Sequence, residues 1–438
     1  MTTEIFKQQL AIYPEYPQQL GILTESNLFW QQDGRERQLS LEDVVGVSIA
    51  EREAVKFPCL LVHAYPKVKA DLRVPKQKRA LQEYCFTCTN FTVRSQWHRT
   101  INNTLLGKPI DAEVIPRHLQ IIINPVSGRG QAVQIFERVR PLFDRSNLKY
   151  TVTETFSAID TQNVVRELDL SKIDGLVIVG GDGTIHDAIA GLMSRSDRET
   201  AIKTPLGIIP GGTGNGLSKT LLESSNETYD PLNAAFLIAK GKQQPLDIAA
   251  INQNNTQYYS CLSLAWGLIS DIDIKSEKLK FLGSWRFDLY ALWSICLLRT
   301  YKGKFSFVPH PDCKLSSERI ISQQGKWRVI EDEFVFLWAM NTPWAAHDMN
   351  VTPHADLSDG AMDVLVMRQG TSRIELLQAL LRCGKGQHLD LPHMEYYKVC
   401  ALKLEPLTDG GILVVDGEPV DYSPIEMKII PNLACVNC

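Results

Sequence analysis

Three glycine-rich turns occur in one stretch of this chain: Asn124-Pro125-Val126-Ser127-Gly128, Gly180-Gly181-Asp182-Gly183-Thr184 and Pro210-Gly211-Gly212-Thr213-Gly214-Asn215. Each turn directly follows an apolar run typical of a buried strand, at residues 119–123, 176–179 and 206–209. A glycine turn between a strand and a helix exposes backbone N–H groups beside the positive end of the helix dipole, which favours anions. Three such turns at the strand ends of one sheet indicate a polyphosphate ligand. With an acid, Asp182, in the middle turn, the pattern predicts an ATP-dependent kinase.

Length and composition limit the alternatives. The chain has 438 residues and a net charge of −4, with the composition of an ordinary globular protein, so it can form two or three domains. The slightly negative charge gives no electrostatic support to nucleic-acid binding. Neither a bilayer-spanning apolar run nor a signal-peptide pattern is visible. We therefore expect a cytoplasmic protein that is at most peripheral to a membrane; its oligomeric state stays open.

The ten cysteines have irregular spacings, which is typical of reduced thiols in a cytosolic protein. Cys85 and Cys88 have the spacing of a zinc-binding pair, but they lie in a strand-like stretch. Residues three apart on a strand point to opposite faces of the sheet and cannot share a metal without a bend. The sequence therefore predicts no protein-bound metal site.

The pattern of predicted strands and helices along the chain indicates three domains. Residues 1–110 are β-rich and end in a helix-like piece with a tryptophan, an architecture that resembles a pleckstrin-homology-like module. Residues 117–251 alternate strands and helices, which predicts a parallel sheet covered on both faces. Residues 257–438 are again β-rich and suggest an antiparallel domain, with a helical insertion at 270–300. The fold class is therefore α/β plus β.

A basic segment at residues 67–79 lies between two strands of the first domain. Such a segment is either a solvated charged loop or a site for anionic lipid headgroups. The sequence favours the solvated loop.

Two aspartates are candidates for the chemistry. Phosphoryl transfer needs positioning, charge neutralisation and a base on the nucleophile, and Asp182 is the natural general base for a hydroxyl. Its alternative roles are holding the turn or binding the metal of Mg-ATP. Asp187 is expected on the first turn of the following helix, where the helix dipole alone favours a carboxylate.

Together the three turns resemble the diacylglycerol kinase catalytic superfamily. Residues 263–278, followed by 281–287 and 298–303, are similar to the sphingosine kinase branch of that superfamily. The resemblance runs from about residue 120 to residue 418. It implies a parallel-sheet nucleotide-binding domain followed by a β-sandwich-like lipid-binding domain, and transfer of the γ-phosphate of ATP to sphingosine or a related long-chain base.

The resemblance also implies roles for individual residues. Asp182 would deprotonate the primary hydroxyl of the lipid, and Gly180, Gly181 and Gly183 would lie beside its headgroup. Asp273 would read the amino-alcohol headgroup, since a long-chain base carries an ammonium that a carboxylate can pair with. The residues implied for ATP and its Mg²⁺ are Asn124, Ser127, Thr153, Glu154, Ser157, Asp187, Gly212, Thr213, Gly214, Lys280, Arg286, Asp416, Gly417 and Glu418.

The helical insertion contains residues 287–298, which are apolar nearly all round. By itself this pattern favours a buried core helix. With the resemblance, the segment is expected to help wall a pocket for the acyl tail. A lipid substrate would also draw the enzyme transiently to a membrane surface.

Three alternatives remain open at this point. The first is the same reaction on diacylglycerol or ceramide. NAD kinase also uses a Gly-Gly-Asp-Gly turn, although the segment from Ser263 to Arg286 argues against it. The third is a lipid-binding adaptor with a degenerate kinase fold, which the intact Asp182 and phosphate turns disfavour.

Overall fold

A computed structural model describes residues 3–50, 57–71, 74–128, 130–276, 285–312, 322–324 and 326–438. These residues form an amino-terminal β unit, a central α/β unit and a carboxyl-terminal β unit. The last two units share a continuous sheet.

The amino-terminal unit consists of two four-stranded antiparallel sheets closed by one helix, together with a separate two-stranded hairpin. Its elements are β1 (Glu4–Gln9), β2 (Ala11–Ile12), β3 (Leu20–Thr24), β4 (Asn27–Gln32), β5 (Arg35–Ser40), β6 (Val44–Ala50), β7 (Cys59–Ala64), β8 (Lys67–Asp71), β9 (Val74–Arg79), β10 (Gln82–Thr87) and α1 (Phe91–Leu105). The sheets have the orders β1-β3-β4-β5 and β2-β10-β7-β6, and their apolar faces enclose one core. Trp97 of α1 is fully buried in that core, with its ring 4.8 Å from the ring of Phe6.

The central unit is a parallel sheet with helices on both faces. Its elements are β11 (Arg117–Ile123), α2 (Ala132–Arg145), β12 (Leu148–Glu154), α3 (Ala158–Glu167), β13 (Gly175–Gly180), α4 (Asp182–Met193), α5 (Arg198–Ala201), β14 (Leu206–Pro210), α6 (Gly216–Ser224) and α7 (Pro231–Lys240). The strand order is β12-β11-β13-β14. Every residue of β13 is buried, because α2 and α7 cover one face of the sheet and α3, α4 and α6 cover the other.

Ion pairs join the amino-terminal unit to the central unit. Arg79 donates to Glu227 at 2.7 and 3.1 Å and to Asp43 at 2.8 Å, and Lys67 lies 3.1 Å from Glu227. The side chains of Arg79 and Glu227 are almost fully buried. These two cations of the basic segment therefore belong to an internal interface, and the expectation of a solvated loop is wrong for them.

The carboxyl-terminal unit is mainly antiparallel. Its elements are β15 (Gln243–Gln253), β16 (Thr256–Ser260), β17 (Ser263–Gly267), α8 (Leu268–Lys275), α9 (Trp285–Leu297), β18 (Tyr301–Pro309), β19 (Ser322–Gln324), β20 (Trp327–Met340), β21 (Trp344–Ala346), β22 (Met349–Asn350), β23 (Met362–Arg368), α10 (Arg373–Cys383), β24 (Glu395–Pro406), β25 (Leu413–Val415), β26 (Glu418–Val420) and β27 (Ile425–Asn437). Aromatic and aliphatic side chains from several of its strands fill one core.

The long strand β27 connects the two larger units. It pairs antiparallel with β24 and with β15, and near its end Val436 pairs in parallel with Leu206 of β14. One sheet consequently runs from the central unit into the carboxyl-terminal unit, so the ends of the central strands have a fixed position relative to the carboxyl-terminal unit.

Helix α9 in the helical insertion is not buried all round. It packs beside α8 and α10 and exposes Leu289, Leu292, Trp293 and Leu297, of which Trp293 is 61% and Leu297 62% accessible. These positions share one side of a helix, and we call them the α9 apolar face. The interpretation of this segment as a core helix is therefore wrong for that face.

Candidate active site

The three glycine turns meet at one edge of the parallel sheet. They follow β11, β13 and β14, which are consecutive neighbours, so their carboxyl ends lie side by side. The Gly181 N–H donates to Ser127 Oγ at 3.0 Å, and the Gly211 N–H donates to the carbonyl of Gly180 at 2.8 Å. The three turns therefore lie together at one edge of the sheet.

Glycine is required where the turns touch. A Cβ built on Gly212 would overlap the Cα of Gly181, and one built on Gly128 would lie 2.7 Å from the carbonyl oxygen of Gly211. Gly128 also has a φ of +60°, a conformation that side chains disfavour. Backbone therefore packs directly against backbone where the turns meet.

Asp182 connects the second turn to the third. It is the first residue of α4, and its Oδ2 accepts from the Gly216 N–H at 2.9 Å while Oδ1 accepts from the Leu217 N–H at 3.3 Å. Burial raises the pKa of Asp182 to about 6, although these two N–H donors lower it and the nearby Asp416 raises it further. The carboxylate is thus ionised at neutral pH and basic enough to accept a proton. It also holds the turn, so both roles expected from the sequence can coexist.

Asp187 lies one turn further along α4 than expected. The helix begins at Asp182, because the last residues of the glycine turn already have helical geometry. The placement of Asp187 on the first turn is therefore wrong, and the helix dipole acts on Asp182 instead. Asp187 accepts from Nε2 of Gln162 on α3 at 3.1 Å, and burial raises its pKa.

The residues expected to contact nucleotide on the β12 side lie at the same edge of the sheet. Asn124 Oδ1 accepts from the N–H of Val126 at 3.1 Å and so shapes the first turn. Thr153 and the exposed Glu154 end β12, which pairs with β11. Ser157 caps α3.

The third turn is closed by its own asparagine. The Gly212 N–H donates to Asn215 Oδ1 at 2.9 Å, and Asn215 Nδ2 donates back to the Gly212 carbonyl at 2.8 Å. Thr213 at the tip of the turn is exposed. A Cβ on Gly214 would lie 3.2 Å from Asp182 Oδ2, so the backbone of the third turn passes directly beside the candidate base.

A hairpin that sequence reasoning missed supports the third turn. In the β21–β22 hairpin, the His347 N–H donates to the carbonyl of Gly214 at 3.0 Å, and Ala346 forms a backbone bridge with Asn215. These contacts are made by main-chain atoms, so no sequence motif predicts them. The carboxyl-terminal unit thereby forms part of the wall around Asp182.

The Asp416-Gly417-Glu418 turn reaches the second glycine turn. A Cβ on Gly183 would lie 3.5 Å from Glu418 Oε1. Asp416 itself is buried, and its carboxylate accepts from the Ser260 hydroxyl, from the N–H groups of residues 261–263 and from His186 Nδ1. The carboxylate of Asp416 thus accepts five hydrogen bonds from within the protein. Gly417, with a φ of +88°, turns the chain toward Glu418.

The candidate headgroup acid lies on α8, directly after β17. Asp273 is partly buried there. Its neighbour Asp271 accepts from the Tyr301 hydroxyl and pairs with Lys275 at 2.7 Å, so Asp271 serves the fold. Lys280 lies outside the described residues, as does the side chain of Arg286.

Two further properties of the described residues bear on the site. No helix among them is both long enough and apolar enough to traverse a bilayer. Likewise, within those ranges no three His, Cys, Asp or Glu side chains come together as a metal-binding group.

Comparison with known families identifies the class of protein. Residues 118–251 match the diacylglycerol kinase catalytic domain, and residues 323–437 match the YegS C-terminal NAD kinase beta sandwich-like domain. A crystal structure of a diacylglycerol kinase from Bacillus anthracis superposes with a TM-score of 0.51 at 19% identity, covering 73% of this chain and 96% of that one, which shows a common fold. The fold and site define an ATP-dependent lipid kinase.

Two individual relatives show which family of lipid kinases the chain belongs to. Sphingosine kinase 1 of Arabidopsis thaliana is 38% identical over 332 residues, which cover 69% of this chain and 68% of the relative. Sphingosine kinase 1 of Homo sapiens is 32% identical over 348 residues, covering 73% of this chain and 91% of the relative. The chain belongs to the sphingosine kinase family.

The contact between the second and third turns gives a first prediction. We expect Gly212→Ala to lower the melting temperature and to raise the KM for ATP at least tenfold, because the new methyl group forces the two turns apart. Thermal unfolding and initial rates at varied ATP measure both effects.

Gly183→Ala is the matched control. Its Cβ has room and Gly183 lies inside α4, where alanine is favoured over glycine by up to about 1 kcal/mol. The melting temperature of Gly183→Ala should equal or exceed that of the wild type. Equal destabilisation by both variants would contradict the packing argument.

Proposed function

We propose that this protein transfers the γ-phosphate of ATP to the primary hydroxyl of sphingosine or a related long-chain base, giving the 1-phosphate. The observation that carries the proposal is the carboxylate of Asp182, held between two glycine turns with a pKa raised to about 6. Membership of the sphingosine kinase family supports the choice of substrate.

The nucleotide would lie across the three turns. The first N–H groups of α6 donate to Asp182, so the phosphates would meet the backbone of the glycine turns and the positive end of the α4 dipole. We propose that the first and third turns hold the phosphates and that the ends of β12 and α3 hold the rest of the nucleotide. The residues so assigned are Asn124, Ser127, Gly212, Thr213, Gly214, Thr153, Glu154, Ser157 and Asp187.

Within the Asp416-Gly417-Glu418 turn we divide the roles. Asp416 is buried with all its acceptors engaged, which supports a role in holding the turn. Glu418 lies against the second glycine turn and is our candidate for contact with the nucleotide. Lys280 and Arg286 remain predicted phosphate-facing cations.

Asp187 and Glu418 are our candidates for binding the Mg²⁺ that accompanies ATP. Mg²⁺ prefers oxygen ligands and usually binds through one or two carboxylates together with substrate phosphates, and Asp187 and Glu418 would supply those carboxylates. The ion would neutralise charge on the phosphates.

The reaction follows from the position of Asp182. As the lipid oxygen bonds to the γ-phosphorus, Asp182 takes the hydroxyl proton, the bond from the γ-phosphorus to its bridging oxygen breaks, and ADP leaves. We propose that Gly180, Gly181 and Gly183 allow the headgroup to approach this carboxylate closely. Asp273 would pair with the ammonium of the long-chain base.

The α9 apolar face supports peripheral membrane association of an otherwise cytoplasmic enzyme. A cluster of exposed leucine and tryptophan side chains on one helix is typical of a surface that inserts into the headgroup region of a bilayer. Since α9 lies next to α8, which carries Asp273, we propose that the substrate enters from the membrane on this side.

The amino-terminal unit is our candidate for a pleckstrin-homology-like module. Its two packed antiparallel sheets and the closing helix with the buried Trp97 support that proposal.

The pKa of Asp182 predicts the pH dependence of the reaction. Because only the carboxylate accepts a proton, kcat/KM for the lipid should fall about tenfold per pH unit as the pH drops below about 6, and should level off above it. Initial rates between pH 4.5 and 8 with saturating Mg-ATP measure the profile.

Asp182→Asn is the control for that profile. Its turnover should be lower by about 10²–10⁴-fold, and the residual rate should lack the step near pH 6. A step that persists in Asp182→Asn would assign the titration to another group and contradict Asp182 as the base.

The proposed headgroup contact predicts a change in substrate preference. Asp273→Asn should lower kcat/KM for sphingosine about 10–100-fold, the value of a hydrogen-bonded charge pair. Slow transfer to ceramide or diacylglycerol, which have no ammonium, should change less than about twofold. Labelled ATP with each lipid in mixed micelles gives these rates.

Asp271→Asn is the matched control on the same helix. It should lower the melting temperature and affect all lipids alike, because Asp271 is engaged with Tyr301 and Lys275. An Asp273 variant that used sphingosine as well as the wild type does would refute the headgroup assignment. Wild-type transfer mainly to diacylglycerol would refute the proposed substrate.

The α9 apolar face predicts membrane binding. Replacing both Leu292 and Trp293 by Gln should weaken partition to lipid vesicles at least tenfold, given the apolar area removed, and should leave kcat on micellar substrate nearly unchanged. Vesicle co-sedimentation measures the partition. Leu407→Gln, which changes an exposed leucine on a loop, should have no effect; equal loss in both variants would contradict a specific face.

A further inference from the structure

His186 lies one helical turn after Asp182 on α4 and does not contact the reacting groups in any role given so far. Its Nδ1 is 3.0 Å from Asp416 Oδ2, and its side chain is only 18% exposed. Residues four apart lie on the same side of a helix. The helix that begins with the candidate base is therefore attached, one turn later, to the carboxyl-terminal unit.

The partner of His186 is itself firmly anchored. Asp416 accepts from the Ser260 hydroxyl at 2.6 Å and from the backbone N–H groups of residues 261–263 at 2.8–3.0 Å. Those residues lead into β17, and β17 leads into α8 with Asp273. Asp416 thus joins two separate segments of the carboxyl-terminal unit, the turn that carries Glu418 and the approach to the headgroup helix.

The contact is buried on both sides. The side chain of Asp416 is inaccessible to solvent, and that of His186 is largely so. Removing one partner of a buried hydrogen bond leaves the other partner unsatisfied, which disfavours the same geometry.

We infer that His186 is a positioning residue for the transfer reaction: its pairing with Asp416 fixes the helix of the base against the Glu418 turn and the β17–α8 segment, so that base, nucleotide and headgroup acid stay aligned. This inference rests on the proposed function. The pair sets the distance between two units that each carry part of the site. Misplacement by about 1 Å can reduce turnover about 10²-fold without any loss of a contacting group.

The experiment compares two replacements of His186. His186→Ala removes the donor, whereas His186→Asn keeps an N–H close to the position of Nδ1. We expect His186→Ala to lower kcat about 10–100-fold with the KM for ATP within about twofold, and His186→Asn to recover at least half of the lost factor on a logarithmic scale. The matched control is His393→Ala, which removes a histidine paired with Glu375 away from the site and should leave kcat unchanged.

A second measurement does not depend on turnover. Amide hydrogen exchange of residues 261–263 reports whether Asp416 still holds that segment. We expect faster exchange in His186→Ala, protection restored in His186→Asn, and no change in His393→Ala. All variants are first shown to be folded by thermal unfolding.

The outcomes separate this inference from the proposed function. Unchanged kcat and unchanged exchange in folded His186→Ala overturn the inference, and so does a failure of Asn to improve on Ala. A raised KM for ATP with normal kcat would make His186 a nucleotide contact and would also overturn it. If the wild type transferred no phosphate to any lipid, the proposed function would fail, while hydrogen exchange would still decide whether His186 and Asp416 couple the units.

Discussion

The close approach of the backbones at Gly181 and Gly212 is the constraint on which the rest of the site depends. Two adjacent parallel strands place their following turns side by side, and only glycine allows the turns to touch. That approach brings the first N–H groups of α6 within reach of Asp182 at the start of α4. One carboxylate consequently receives donors from a second helix, which keeps it ionised at neutral pH in spite of its burial.

The second unit completes the site by main-chain and buried polar contacts. The β21–β22 hairpin bonds to the third turn, and Asp416 joins the β25–β26 turn to the segment before β17. Such contacts are rigid, because each polar group is desolvated and has a fixed partner. A kinase that must align a phosphate, a hydroxyl and an ammonium gains from this rigidity, since positioning accounts for most of the catalysis of phosphoryl transfer.

The parts of this structure that could be predicted from the sequence are local. Apolar runs followed by glycine turns indicate a strand, a turn and a helix within a few residues of each other. The parallel sheet and the proximity of its three turns could therefore be predicted from the sequence. The pairing of His186 with Asp416 joins residues 230 positions apart, and nothing near either residue signals it. The contact of Arg79 with Glu227 could not be predicted for the same reason, because the two residues are 148 positions apart. The sequence therefore favoured a solvated loop for the basic segment. Helix α9 has no polar side that would reveal its orientation, and only its packing against α8 and α10 shows which face is exposed.

The course of β27 has a consequence for how the chain folds. At Leu206 the outer edge of β14 pairs with a strand that comes more than 200 residues later in the chain, and β15 depends on the same strand for most of its partners. During synthesis the parallel sheet therefore emerges with an open edge long before its covering strand exists. Unpaired edges of this kind attract other chains, and non-local pairing is slow to form. The growing polypeptide is consequently most prone to aggregate in the interval between synthesis of the central unit and synthesis of β27.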